Sequence, residues 1–131
     1  MKIQKIKEPL NEMARIGFVP VGTTKTVEVY VHTDDSGNVP HFHVRKYGTN
    51  NKFEWETCIR YDSPTYFYHG RYVDKIPDKK IIKQLDSMLR SIDPESRNND
   101  TFWNECVDEW NRNNSEIKLD KNIEQPDYTK L

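Results

Sequence analysis

Two hydrophobic rhythms divide this chain, and no single kind of secondary structure satisfies both. In "TVEVYVHT" (residues 26–33) and "VPHFHVRKY" (39–47) apolar side chains alternate with polar ones. From Ile81 onward the spacing changes to threes and fours: Ile81, Ile82, Leu85, Met88, Leu89 and Ile92, then Phe102, Trp103, Cys106, Val107 and Trp110. A period of two belongs to a strand with one face in a core, and a period near 3.6 to a helix with one stripe in it. Strands followed by helices, without alternation of the two, predict an α+β fold: an antiparallel three- to four-stranded meander with two C-terminal helices packed on one face.

The punctuation fits. "DDSGN" and "GTNNK" are turn clusters between strands. "FEWETCIRY" (53–61) reads as a third strand and "TYFYH" (65–69), ending at Gly70, as a fourth. Asp78 is placed to cap the first of the two helices, and Pro94 lies beyond its end. "EPLNEMARIGF" (8–18) predicts a short N-terminal helix, with Pro9 in its first turn, Gly17 at its stop and Leu10, Met13 and Ile16 on one side. Residues 1–112 then make one α+β domain. Residues 113–131 are polar with scattered Ile117, Leu119 and Ile123, and read as a C-terminal tail, extended or partly docked, with a frayed end at "EQPDYTKL".

A chain of 131 residues with 34% hydrophobic content supports one modest core and no large internal cleft. The formal net charge of -1 supplies no field for a polyanion, so nucleic-acid binding is not supported by charge. Two cysteines, Cys58 and Cys106, do not make a disulfide framework. "MKIQKIKEPL" lacks an apolar secretory segment, and no stretch is long and apolar enough to span a membrane. The expectation is a cytoplasmic protein in a reducing compartment, with no membrane association.

Three of the four histidines, His32, His41 and His43, fall within a dozen residues. A hairpin closed by residues 35–38 sets His32 opposite His41, Tyr30 opposite His43 and Glu28 opposite Arg45, with Val31 meeting Phe42 and Val29 meeting Val44 behind them. A one-residue slip would turn one apolar set outward. The same reasoning on the next hairpin pairs Arg45 with Glu54, His43 with Glu56 and His41 with Cys58. One face would then gather Tyr30, His32, His41, His43, Glu56 and Cys58, flanked by Arg45.

That face admits three readings. It can be a solvated outer sheet face with cross-strand charge pairs. It can be a catalytic set in which His41 and His43 share acid and base roles, Glu56 orients them and Arg45 stabilises an anion. It can also be a metal site of His41, His43, His32 and Cys58, because alternate residues of a strand point two imidazoles the same way. The default is that no cofactor is needed; the alternative is a divalent transition metal.

"VPHFHVRKY" superficially resembles the strand of the histidine-triad nucleotide hydrolases. Its third alternating place is Arg45, however, and the glycine-rich phosphate cradle is missing, so that match is rejected. A broader resemblance rests on three blocks in order: "NVPHFHV" (38–44), "KIPDKKIIKQL" (75–85) and "FWNECVDEWN" (102–111). Together they resemble a small bacterial and phage family of unknown function with a Pro-His-Phe-His-Val motif. Val39 stands where that family has a further proline. Some of its members sit in toxin–antitoxin-like gene pairs. The resemblance implies a small intracellular domain with a protein partner, with action on RNA as a further option; the leading expectation is an interaction module that binds a protein partner, toxin–antitoxin-related or an inhibitor. The alternative is a His-dependent nuclease or metal-dependent hydrolase built on His41 and His43. Whether the chain is an enzyme stays open at this point.

Overall fold

The computed structural model describes residues 13–32, 39–48, 50, 52–67, 77–114 and 116–131. Four strands, β1 (Met13–Val21), β2 (Thr24–His32), β3 (His41–Tyr47) and β4 (Phe53–Arg60), form one antiparallel sheet in the order β1-β2-β3-β4. Two helices follow, α1 (Lys79–Arg90) and α2 (Phe102–Asn113), and a short 3-10 turn at Tyr128–Lys130 ends the chain. This is the expected α+β meander, but its fourth strand is not the expected one.

β1 occupies part of the segment whose spacing suggests a helix; residues 8–12 of that segment lie outside the described residues. The strand is selected by the turn that follows it. Gly22 takes a positive φ of 61°, which costs glycine little, and Val21 pairs with Thr24 around it. Thr24 also donates its hydroxyl to the Val21 carbonyl at 3.1 Å. Pro20 is tolerated because β1 is an edge strand, where one side needs no ladder donor. Gly17 does not stop a helix. It sits beside a register shift, and a Cβ there would lie 2.8 Å from both Met88 Cε and Phe102 Cε1. The strand passes so close to both helices that only glycine fits without movement. The segment expected to be the fourth strand makes only a bridge from Tyr66 to Ile59 and a bond from the Phe67 N–H to the Cys58 carbonyl. Residues 68–70, including His69, lie outside the described residues.

β2 and β3 pair in the expected register, Glu28 with Arg45, Val29 with Val44 and Tyr30 with His43. β3 and β4 do not. Arg45 meets Glu56, His43 meets Cys58 and His41 meets Arg60, two residues further along β4 than expected. The connection has one residue more than the tight loop assumed, since Tyr47 pairs with Phe53, and an irregularity beside Lys46 and Tyr47 adds the second. A shift of two preserves which face each side chain takes.

Val27, Val29, Val31, Phe42, Val44, Trp55 and Ile59 therefore share one core with Ile81, Ile82, Leu85, Met88 and Leu89 of α1 and Trp103, Cys106, Val107 and Trp110 of α2. Ile92, expected in that stripe, is exposed beyond the end of α1. Asp78 caps α1 as expected, accepting from the Ile81 N–H at 3.0 Å; Thr101, not singled out in the sequence, caps α2 by accepting from the Asn104 N–H at 3.1 Å.

The C-terminal segment is not frayed. Tyr128 is fully buried, and Ile123 and Leu131 pack against the core. The indole N–H of Trp103 donates to the Ile123 carbonyl and that of Trp110 to the Ile117 carbonyl, at 2.9 and 2.8 Å. Asp86 accepts from the Tyr128 N–H at 3.0 Å and from the Gln125 amide at 3.0 Å. No helix among the described residues is long and apolar enough to cross a membrane.

Candidate functional site

Opposite the apolar face, β2 contributes Tyr30 and His32, β3 contributes His41, His43 and Arg45, and β4 contributes Glu56 and Cys58. The structure brings together all six residues singled out for catalysis or metal binding. His43 is the hub. Its ring centre lies 4.4 Å from that of His32, 5.1 Å from that of His41, and 5.0 Å from that of Tyr30, on which it stacks. Its Nδ1 is 2.9 Å from Glu56 Oε2, and Cys58 Sγ is 3.4 Å from the same nitrogen and 4.0 Å from Nε2. The shifted register moved Glu56 one pair away from His43, yet its carboxylate still reaches the imidazole diagonally.

Arg45 closes the network on its other side. It donates to Glu56 Oε1 at 3.2 Å and to the hydroxyls of Tyr30 and Tyr47 at 2.6 Å each. Its guanidinium also lies 4.4 Å above the Tyr30 ring. Burial by itself would raise the Glu56 carboxyl; the hydrogen bonds from His43 and Tyr30 and the Arg45 charge outweigh it and hold the group below its usual range. Burial, then Glu56, push the Tyr30 phenol up. The phenol stays a neutral donor and acceptor.

The solvated-face expectation is overturned. His41, His43 and Cys58 are 0% exposed and Glu56 is 3%. His41 packs between the rings of Phe67, at 4.7 Å, and Trp110, at 5.6 Å, while its Nδ1 lies 2.7 Å from the Val39 carbonyl. His41, His43, Glu56 and Cys58 therefore lie beneath the molecular surface, linked by hydrogen bonds and ring contacts, while His32 and Arg45 at the margin of the set are partly exposed. Two sets among the described residues bring one ligand atom from each member within 4.8 Å of one another: His41, His43 and Cys58, and His32, His43 and Glu56.

A second feature was only half visible in the sequence. The outer face of α2 was recognisably acidic, but not that the 93–100 loop and β1 build a groove against it. The groove has a volume of about 550 Å³ and carries the carboxylates of Asp93, Glu95, Asp100, Glu105, Asp108 and Glu109. Arg15, Arg97 and Arg112 also line it. Two of these arginines are engaged, Arg15 with Glu28 at 3.0 Å and Arg112 with Glu109 at 2.5 Å. Partial burial, a hydrogen bond shared with Asp93 and the charges of Asp93, Asp100 and Asp108 push Glu105 up to about 7. Lys79, Lys80 and Lys83, by contrast, are an exposed helix surface. No family model, curated protein or solved structure matches this chain.

Proposed function

We propose that this chain is a non-catalytic interaction module that binds a basic segment of a protein partner in the groove between α2 and the 93–100 loop. The observation that supports this reading is the groove itself, an open concavity where six carboxylates face three arginines, two of them already paired. Partial burial, together with the hydrogen bond to Asp93 and the neighbouring carboxylate charges, keeps a proton on Glu105 into the neutral range. A lysine or arginine side chain placed among these carboxylates relieves their mutual repulsion and adds charge-assisted hydrogen bonds. The burial of His41 and His43 supports the same reading, because a general base must come within hydrogen-bond reach of its substrate and these two imidazoles lie under the surface. The resemblance to the Pro-His-Phe-His-Val family points to a partner of the toxin–antitoxin type, encoded beside this chain.

The test uses a fluorescently labelled lysine- and arginine-rich peptide and an acidic peptide of equal length, followed by anisotropy. The basic peptide binds, weakens with salt, and loses at least about tenfold in affinity, roughly 1.4 kcal/mol, in the Glu105→Gln, Asp108→Asn, Glu109→Gln triple variant. Because the cation binds the ionised form of Glu105, affinity rises as pH is raised through about 7. Equal binding of both peptides, or indifference to the triple variant, contradicts the proposal. Hydrolysis of RNA that disappears in His41→Ala, His43→Ala would favour the nuclease reading in its place.

A further inference from the structure

We infer that His41, His43 and Cys58 form a binding site for a single transition-metal ion, with zinc the best chemical match. The site is separate from the acidic groove and does not depend on it.

The backbone converges the three side chains. His41 and His43 are two residues apart on β3 and so share a face, and Cys58 is the β4 residue directly opposite His43. Their ligand atoms lie within 4.8 Å of one another. A tetrahedral zinc site with ordinary Zn–N and Zn–S lengths needs its ligand atoms about 3.3–3.6 Å apart. Closing the remaining distance takes side-chain rotation and no change of register.

The hydrogen bonds select the right nitrogens. A carbonyl oxygen only accepts, so His41 Nδ1, 2.7 Å from the Val39 carbonyl, carries the proton and leaves the lone pair on Nε2. His43 Nδ1 likewise faces the Glu56 carboxylate, which is paired with Arg45, and its Nε2 is left as the basic nitrogen. An imidazole oriented by a backbone carbonyl and another by a carboxylate are the usual outer arrangements of histidine metal ligands. Cys58 Sγ lies 3.4 Å from His43 Nδ1 and 4.0 Å from Nε2, so ligation through Nε2 requires the thiol to swing toward the Nε2 edge of the ring.

Two imidazoles and a thiolate suit zinc and related late transition metals; oxygen-preferring magnesium or calcium is disfavoured. His32 is the neighbour that can complete four ligands, since its ring centre is 4.4 Å from that of His43. Glu56 then remains the orienting group. Binding displaces the Cys58 thiol proton to solvent as the sulfur-to-metal bond forms, so affinity rises with pH. With its ligands buried, the ion would fasten β3 to β4 in a structural role.

The test is cobalt(II) titration of the full chain, together with the metal content of protein isolated without chelator. The proposal predicts one equivalent of zinc in the isolated protein. In metal-stripped protein it predicts tetrahedral cobalt bands that saturate at one equivalent, with a thiolate-to-cobalt charge-transfer band that zinc abolishes. Cys58→Ser, nearly equal in volume, loses the charge-transfer band, and zinc no longer raises its Tm. A folded wild-type protein that carries no zinc and shows no cobalt spectrum overturns the proposal. A cobalt spectrum without the thiolate band overturns the assignment of Cys58. Because the wild-type spectrum is decisive by itself, a variant that fails to fold does not blunt the test.

Discussion

Glu56 is 3% exposed between His43 and Arg45, so its charge is compensated by protein contacts and not by water. Removing one member of such a pair strands the other, which costs far more than the pair itself contributes. Glu56→Ala should therefore lower stability by about 3 kcal/mol, and Arg45→Met by a similar amount. The double variant Arg45→Met, Glu56→Ala should lose less than the sum of the singles, because no uncompensated charge remains. Urea denaturation midpoints of the four proteins measure this directly, and strict additivity would show that the two side chains act independently. At this scale the sequence was informative. Alternation placed His32, His41, His43, Arg45, Glu56 and Cys58 on one face, and the structure holds them there. The partner of each residue along β4 was not legible, because a bulge and one extra loop residue leave no mark on a two-residue period.

β1 shows what period alone misses. "EPLNEMARIGF" offers Leu10, Met13 and Ile16 at helical spacing, yet residues 13–21 are a strand, fixed by the turn at Gly22 and by pairing with β2. Tertiary pairing outweighs a weak local preference. The helices were legible for the opposite reason: each has a capping side chain and a long apolar stripe, and both signals agree. The close approach at Gly17 makes β1 sensitive to a single methyl group. Met88 can swing aside from an added Cβ, but the Phe102 ring at 2.8 Å is packed and stiff. Gly17→Ala should destabilise by about 1–3 kcal/mol through overpacking, with the m-value unchanged. An unchanged midpoint would mean that β1 and α2 are further apart than described here.

Across the whole molecule, the last residues complete the core. Their polar composition hid this, since the signal lies in what the rest of the fold needs. Trp103 and Trp110 bring buried indole N–H groups that require acceptors, and the carbonyls of Ile123 and Ile117 supply them. Tyr128 is fully buried, with rings of Phe42 and Trp103 around it and its hydroxyl donating to the Arg60 carbonyl at 2.5 Å. Tyr128→Ala should cost about 3–5 kcal/mol, the usual loss for emptying a large aromatic site. A loss below about 1 kcal/mol would mean that the segment is only loosely docked.

The burial of His41 and His43 is what argues against an enzyme working through them, and Cys58, buried beside His43, reports on it directly. Cys58 on β4 and Cys106 on α2 form no disulfide and are both fully buried. Brief exposure of the native, metal-stripped protein to N-ethylmaleimide, followed by peptide mass mapping, reads the two thiols separately. Both should stay unmodified until the chain unfolds, Cys58 as well protected as Cys106, and both should react fully in denaturant. Rapid stoichiometric labelling of Cys58 in the native protein, with Cys106 untouched, would mean that the histidine face is open to solvent and that its residues are free to meet a substrate.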